Sequence, residues 1–478
     1  MSDFIDQTKK NRVLLIIDPQ NDFVDIQETF NKRRPENSSN PFDQTSESKG
    51  LPVGAATKDE NLYFTPGFEK DKKEPINGAK ADLDKLAVFL AKNGGEFDEI
   101  HVSLDSHTKN HIGHIGFWKK ETVTIDGKDE IRPRPLQQFY VKPEGTDTDG
   151  LYNIYVKNSN EKVVDGKLVV DEKVVVDEKV VVDEKVVYEK EVKIKPRIPE
   201  LKEWAYRYIL KMQNLRKYDE SKPEPCLWAE HCIISDENDK PEKGWMVYEP
   251  LLKELDNLQK KNIEEGKGNK VFYHEKGTND LVEMYSIFSA EVPYEKLFVD
   301  IKNVNPESEC LKYIETEYLK DKVVSIESIK PNTENKPNEI KNYNTEFNMK
   351  LFTQLAGDVN KLKNDIYVCG EAKSHCVKTS LEDMLKQCDI LGFPKNKIFM
   401  FDDMSSIINA YAELSIAAYE KMKGQGLQII KSEDFEKKIL QTGGKRRNKT
   451  SKKSKATKKS KKSSKTTRKH RKTHKSKR

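Results

Sequence analysis

IYVCGEAKSHCVKTSLEDML, residues 366–385, begins as an unbroken apolar run, breaks at Gly370, and continues with apolar residues at helical spacing. A buried strand, a tight turn and an amphipathic helix are predicted in that order. Cys376 then falls in the first turn of a helix, just beyond a strand end. The positive end of a helix stabilises negative charge there and lowers a thiol pKa from about 8.5 to roughly 3.5–7.5. A thiolate is a nucleophile, so this position is suited to covalent chemistry.

The same punctuation recurs on either side. VLLIID (13–18), EIHVSLD (99–105), KVFYHE (270–275), DIYVCG (365–370) and KIFMFDD (397–403) are short apolar runs ending at polar residues or glycine, and LQIIKSEDF (427–435) adds a candidate last strand. Between them lie helical patterns: AKADLDKLAVFLAKNG, GWMVYEPLLKELDNLQKKN, SLEDMLKQC and IINAYAELSIAAYEKMK. Nearly continuous apolar strands separated by amphipathic helices predict a three-layer α/β/α fold on a parallel sheet of about six strands. In such sheets, sites form outside the carboxyl ends of the strands. Asp18, Asp105, Lys276 and Cys376 all fall at or just past such ends.

Composition limits the core. Only 35% of the 478 residues are apolar and another 35% are charged, so much of the chain is expected to lie outside it. The strand–helix pattern occupies 10–435, interrupted at about 28–75, 120–225 and 301–345. The second interruption carries a VVVDEK repeat with Asp171, Asp177 and Asp183 in step. A period of six keeps one face under two-residue alternation, which permits extended structure, whereas β-branched residues crowd a helix. Surface low-complexity expansion is the plain reading of the repeat.

The net charge of +5 conceals two parts. Of 85 Lys and Arg residues, 19 lie from Lys445 onward with no acid among them, leaving 66 against 80 acids in the body. The tail, 443–478, is predicted to be disordered. As a polycation it suits non-specific nucleic-acid contact through 445–478 or nuclear import, and it has no aromatic residue for base stacking. Six cysteines in no scaffold or zinc-finger spacing point to a reducing compartment. MSDFIDQTKKNR lacks the apolar core of a secretory signal, and no run approaches the ~18–20 apolar residues of a membrane span. The expectation is an intracellular protein, cytoplasmic or nuclear, neither secreted nor membrane-bound.

Amide-type hydrolysis by a thiol needs a nucleophile, a proton carrier and oxyanion donors. Cys376 supplies the first, Asp18 can carry the proton, and Lys276 can hold the carboxylate and stabilise a thiolate. Asp105 and His107 stand two apart in SLDSHTKNHIGHIGFW, so an extended strand end projects both from one face. A carboxylate and an imidazole there suit Zn²⁺, with Fe²⁺ or Mn²⁺ as alternatives. His231 in LWAEHC is the candidate third ligand, and His111 and His114 compete with it locally.

Taken in order, IIDPQNDF, SLDSHTKNHIGHIGF, LWAEHC, EKGTNDLVEMYSIFSA and YVCGEAKSHCVKTS resemble the nicotinamidase branch of the isochorismatase-like cysteine hydrolases. The resemblance covers most of 10–30, 78–118, 226–292 and 345–435. It implies a metal-dependent amidohydrolase that forms a cysteine thioester, with Asp18, Lys276 and Cys376 catalytic and Asp105, His107 and His231 on the metal. It also implies an oxyanion hole from the N–H groups of Cys376 and Lys373, after a cis peptide between Ala372 and Lys373. Phe23 and Trp228 match aromatic positions that flank a substrate ring.

Three features depart from the family pattern. His375 stands where an aromatic residue usually precedes the nucleophile, Ala229 replaces a proline, and HIGHIGFW is longer than its counterpart. All three touch the substrate pocket. The expected substrate is therefore nicotinamide, giving nicotinate and ammonia, or another small amide or carbamoyl compound. His375 is open between lining the pocket, binding a polar substrate and capping the helix. A rival expectation is an inactive hydrolase fold tethered to nucleic acid by its tail. Oligomeric state has no signal in the sequence.

Overall fold

The computed structural model of the chain describes residues 11–24, 78–120, 138–146, 152–157, 161–164, 167–170, 180–182, 185–187, 191–219, 222, 225–228, 231–234, 244–318, 339–341, 345–408 and 411–439. The long loop expected over 28–75 and the tail over 443–478 lie outside them. The chain divides into two compact units, Met1–Ile429 and Ile430–Arg478. Of the second, only 430–439 is described, with a helix over 432–439.

In the first unit, β1 (Arg12–Ile17), α1 (Ala79–Asn93) and β2 (Glu99–Asp105) appear where the apolar periodicities placed them. The segment that follows builds a second layer from β3 (Trp118–Lys120), β4 (Phe139–Thr146) and β5 (Tyr152–Lys157). Two short hairpins come next, β6 (Glu161–Val164) with β7 (Lys167–Val170), and β8 (Val180–Val182) with β9 (Lys185–Val187). The described part of the VVVDEK repeat is thus extended, as its alternation allows. β10 (Glu191–Pro196) and α2 (Lys202–Tyr218) close this region. Then come α3 (Glu249–Glu264), β11 (Val271–Lys276), α4 (Tyr294–Val304), α5 (Glu309–Tyr313), β12 (Glu339–Lys341) and α6 (Met349–Ala356). The last elements are β13 (Asp365–Gly370), α7 (Lys378–Leu391), β14 (Ile398–Phe401), α8 (Ala412–Gly424) and β15 (Gln428–Ile430).

The main sheet runs β12-β11-β2-β1-β13-β14-β15. Its six expected strands are present, and β12 joins as a seventh on the edge. The registers of β1 with β2 and β13, of β2 with β11, of β11 with β12 and of β13 with β14 are all parallel. β13 is buried at every position and β1 at every position after Arg12, which is why their sequences run apolar without alternation.

The 120–225 interruption is more than surface expansion. β3, β10, β5 and β4 form an antiparallel sheet in that order. With α2 it encloses a second apolar cluster that contains Trp118, Phe139, Ile154, Ile194, Trp204 and Tyr208. Ile112, Phe117, Leu281, Val282 and Met284, from the loops after β2 and β11, belong to the same cluster. The insertion therefore packs directly behind the strand ends that carry the candidate site. Among the described residues, no helix is long and apolar enough to cross a membrane.

Candidate active site and metal centre

Three neighbouring strands, β11, β2 and β1, with β13 beside β1, bring the candidate residues together. Lys276 and Asp105 are direct register partners at the ends of β11 and β2. Asp18 follows β1 with φ of 43°, a left-handed conformation that an aspartate tolerates better than most residues. Ser103, two residues before Asp105 and on the same face, donates through Oγ to Asp18 Oδ1 at 2.6 Å and accepts from Asp18 N at 3.0 Å. Gln20 holds the other carboxylate's backbone. Its Nε2 donates to Asp105 O and its Oε1 accepts from Asp105 N, each at 2.7 Å.

Lys276 is the hub. Its Nζ lies 3.0 Å from Asp18 Oδ2, 2.9 Å from Asp105 Oδ1 and 3.6 Å from Cys376 Sγ, and it donates to Met284 O at 3.1 Å. The side chain is only 1% exposed. Burial alone disfavours an ammonium, but Asp105, Asp18 and Cys376 outweigh it and hold the lysine charged, its pKa well above the ordinary value. Asp18 moves up, because burial and Asp105 outweigh Lys276. Asp105 moves well down: burial opposes, yet His107 and Lys276 prevail.

Cys376 lies in a π-helical turn, Lys373–Val377, that leads into α7. The helix-end argument predicts a lowered thiol pKa, and the structure reverses it. Burial raises Cys376 well above its ordinary value, Asp18 and Asp105 add to that, and Lys276 only opposes. The resting thiol keeps its proton. The other catalytic candidate, Asp18, acts on it through charge and a side-chain hydrogen bond.

Two expectations about the turn are corrected. The cis peptide joins Glu371 and Ala372, one bond earlier than Ala372–Lys373. Glu371 N still donates to Ile17 O at 2.8 Å, so the β1–β13 ladder persists to that residue and the chain leaves it at the next bond. Lys373 N donates to Ser406 O at 2.7 Å and is thereby committed away from an oxyanion. Ala372 N–H has no acceptor among the described residues. Gly370 adopts φ of 114°, and a Cβ there would meet Ile17 O at 2.0 Å, so no other residue fits this close approach.

Around Asp105 the histidines gather. His107 Nε2 is 3.0 Å from Asp105 Oδ2, and His231 Nε2 is 3.4 Å from the same oxygen. His107 Nδ1 pairs with Gly277 O at 3.0 Å. A carbonyl only accepts, so Nδ1 carries a hydrogen. Burial lowers the His107 pKa, but the facing Asp105 carboxylate outweighs it and raises it, so without a cation the two form an ion pair at 3.0 Å and with one Nε2 is free to ligate. Gly277 makes this possible: φ is 72°, and a Cβ would meet His107 Cε1 at 2.7 Å.

Two groups have converging ligand atoms, Asp105–His107–His231 and His107–His111–His114. The local competitors now separate. Gly113 N donates to His111 Nδ1 at 3.1 Å, so His111 Nε2 must be the donor to Val282 O at 3.0 Å. Both nitrogens of His111 are occupied. His114 is fully buried with neither nitrogen hydrogen-bonded. Burial and the neighbouring His231 and His107 hold its pKa well down, so it is a neutral imidazole with a lone pair to give. A divalent cation fits the donor set of Asp105, His107 and His231, and His114 lies beside it in the triad that shares His107.

Facing the turn is an aromatic group. Trp228 Nε1 donates to Tyr285 OH at 2.7 Å. The His375 ring centroid lies 5.3 Å from Trp228, 5.2 Å from Tyr285 and 4.5 Å from Tyr411. Burial holds His375 neutral, its pKa lowered to about 3. It caps no helix, since neither the turn nor α7 has a side-chain cap. Phe23 sits on the metal side, edge-on to His231 at 5.6 Å. Tyr285, Tyr411, Ser103 and Gln20 were not singled out in the sequence. For Ser103 the signal was available in the alternation His101, Ser103, Asp105.

The insertion braces this centre from behind. Trp204 Nε1 donates to Leu281 O at 2.8 Å, Trp118 Nε1 to Ile112 O at 2.8 Å, and Glu283 N to Tyr208 OH at 3.0 Å. Trp204 is fully buried, so Trp204→Ala is expected to cost about 3–5 kcal/mol in urea unfolding. A midpoint within error of the unmodified chain would show that the second cluster does not support the loop.

No family model matches the chain, and no curated protein matches it by sequence. Solved structures do. The Acinetobacter baumanii nicotinamidase/pyrazinamidase is 14% identical, with 90% of this chain and 100% of that chain covered and a TM-score of 0.33. The yeast nicotinamidase is 12% identical, covering 88% and 99% with a TM-score of 0.34. The Pyrococcus horikoshii pyrazinamidase, solved in complex with zinc, is 12% identical, covering 88% and 99% with a TM-score of 0.29.

Proposed function

We propose that this protein is a cysteine amidohydrolase acting on a small amide, with nicotinamide the first substrate to test. The observation that carries the reading is the single buried ammonium of Lys276, in contact at once with the thiol, the Asp18 carboxylate and the Asp105 carboxylate.

Because the resting thiol is protonated, attack and proton transfer are coupled. Cys376 Sγ bonds to the amide carbon as its proton passes to Asp18, whose pKa burial raises above the ordinary carboxylate value. The N–H groups of Ala372 and Cys376 are the oxyanion donors, in place of Lys373. Asp18 returns the proton to the departing nitrogen and ammonia leaves a thioester. A water then gives a proton to Asp18 and bonds to the acyl carbon. Sγ departs, taking the proton back, and the carboxylic acid is released. Asp105, His107 and His231, with His114 beside them, would hold the divalent cation, which when bound supplies a Lewis-acid anchor for the substrate. Trp228, Tyr285 and His375 offer a flat, largely apolar wall against a ring.

Ammonia release from a panel of amides led by nicotinamide, with metal analysis, tests the reading. Turnover that falls at least ~10²-fold in Asp18→Asn supports it. No turnover on any amide, together with tail-dependent retention on nucleic acid, overturns it. For the cation, His114→Ala is expected to weaken retention by roughly 10–100-fold on dialysis against a chelator. His111→Ala is expected to lose stability but keep its metal content, and the reverse pattern would exchange the two roles.

A further inference from the structure

We propose that Glu371 and Asp82, two carboxyl groups buried behind the nucleophile turn, share one proton and act as a positioning pair for Cys376. The role as stated rests on the cysteine-hydrolase reading, since it concerns the turn that presents the thiol.

A parallel sheet covered on both faces should have an apolar interior. Here Asp82 on α1 is 8% exposed and Glu371 at the end of β13 is fully buried. Between them lies the segment after β14. Ser406 Oγ donates to Asp82 Oδ2, and Ser406 N donates to Glu371 Oε2 at 3.1 Å. The same segment is tied to the turn at three more points. Lys373 N donates to Ser406 O at 2.7 Å, Gly370 N to Ser405 Oγ at 3.1 Å, and Ile408 N to Ser374 Oγ at 3.1 Å. The carboxyl pair thus anchors α1 and the 405–408 segment to the four residues that set the course of the chain before Cys376. Ala372 N–H, the candidate oxyanion donor, lies inside that stretch.

Two carboxylates in contact inside a protein do not both ionise. Burial raises Asp82 to about 6, and burial reinforced by Asp82 raises Glu371 well above its ordinary value. Glu371 Oε1 is buried with no hydrogen-bond partner among the described residues, which leaves it to share a proton with Asp82, the neighbour that acts on it through charge and a side-chain hydrogen bond. The consistent state is a protonated Glu371 donating to an ionised Asp82. Facing groups do not supply a substitute. Lys85 is paired with Asp403 and Lys373 with Asp402, and Cys369 and Tyr419 are held protonated by burial.

The sign follows from the direction of these shifts. An acid whose folded pKa is raised stabilises the fold below its unfolded pKa, and that contribution is lost as pH rises through the folded value. The turn should therefore loosen on the alkaline side, when Glu371 gives up its proton beside a charged Asp82.

Glu371→Gln supplies a permanent neutral donor. Its kcat for amide hydrolysis and its Cys376 alkylation rate with iodoacetamide should lie within about twofold of the unmodified chain near pH 6. As pH rises into the alkaline range, the unmodified chain should fall behind the variant, because only its residue 371 can ionise. Asp82→Ala should lower kcat about tenfold or more with little change in KM. A rate ratio between the unmodified chain and Glu371→Gln that stays flat across the pH range overturns the proposal. So does a folded Glu371→Gln that loses activity as fully as Glu371→Ala. Alkylation is read at the C–I bond of the reagent without any amide hydrolysis, so the pair is tested even if no amide is turned over, a result that would sink the hydrolase reading alone.

Discussion

Cys376→Ala is expected to lower kcat/KM for amide hydrolysis by roughly 10⁴-fold or more, with a folded protein left behind. In the proposed reaction Sγ is the protein atom that bonds to the substrate carbon, and no neighbouring group among the described residues can replace it. His375 lies against Trp228, Tyr285 and Tyr411 and is held neutral, and Ser374 Oγ is engaged with His375 Nδ1 and Ile408 N. Loss of Sγ removes one small atom from a buried site, so unfolding midpoints should shift by less than about 1.5 kcal/mol. The measurement is ammonia release alongside a denaturation curve. Activity within tenfold of the unmodified chain would place the chemistry elsewhere.

Lys276→Met has the second-largest expected effect, and it acts on both stability and rate. The ammonium stands between two buried carboxylates, and removing one partner of a buried ionic group costs about 3–5 kcal/mol because the remaining charge is uncompensated. Asp18 is already raised by burial with the lysine opposing, and without that opposition it rises further. A raised acid stabilises the fold below its unfolded pKa of about 3.9, and this is lost as pH climbs through the folded value. The gap in melting temperature between Lys276→Met and the unmodified chain is therefore expected to widen from about pH 4 to about pH 8. Activity should fall at least ~10²-fold, since the thiolate loses its neighbouring cation. A pH-independent gap would show that the lysine is held for packing alone.

These two effects trace back to different layers of information. Strand ends were readable because a parallel strand buried on both faces is written as an uninterrupted apolar run, and β1, β2, β11, β13, β14 and β15 all fell within such runs. The edge strand β12 was not, since Glu339–Lys341 has no apolar pattern of its own and pairs only because β11 offers a free edge. Within the insertion only the VVVDEK repeat was read, as surface expansion, and β4, β5 and β10 were not recognised because charges interrupt them. Its apolar residues gain meaning only when α2 folds over them and over the 281–284 loop.

Within the site, the residue types of Asp18, Lys276, Cys376, Asp105, His107 and His231 were set by local sequence, since each stands at a strand end or in a short polar motif. Their electrostatics were not. A helix dipole argues for a low thiol pKa, whereas full burial beside two carboxylates drives it up, and burial is a property of the whole packed chain. That both His111 nitrogens are engaged while neither of His114 is depended on Gly113 N and Val282 O, two backbone groups, one of them 171 residues away in the chain. The Lys373 N–H, an oxyanion donor by the family resemblance, is instead taken by Ser406 O on another loop. The sequence by itself determined the parallel sheet and which chemical groups stand at its carboxyl edge, because apolar periodicity and residue identity are local. Only the tertiary structure decided which of those groups are charged and which lone pairs are free, because desolvation and hydrogen-bond competition are settled by neighbours distant in the chain.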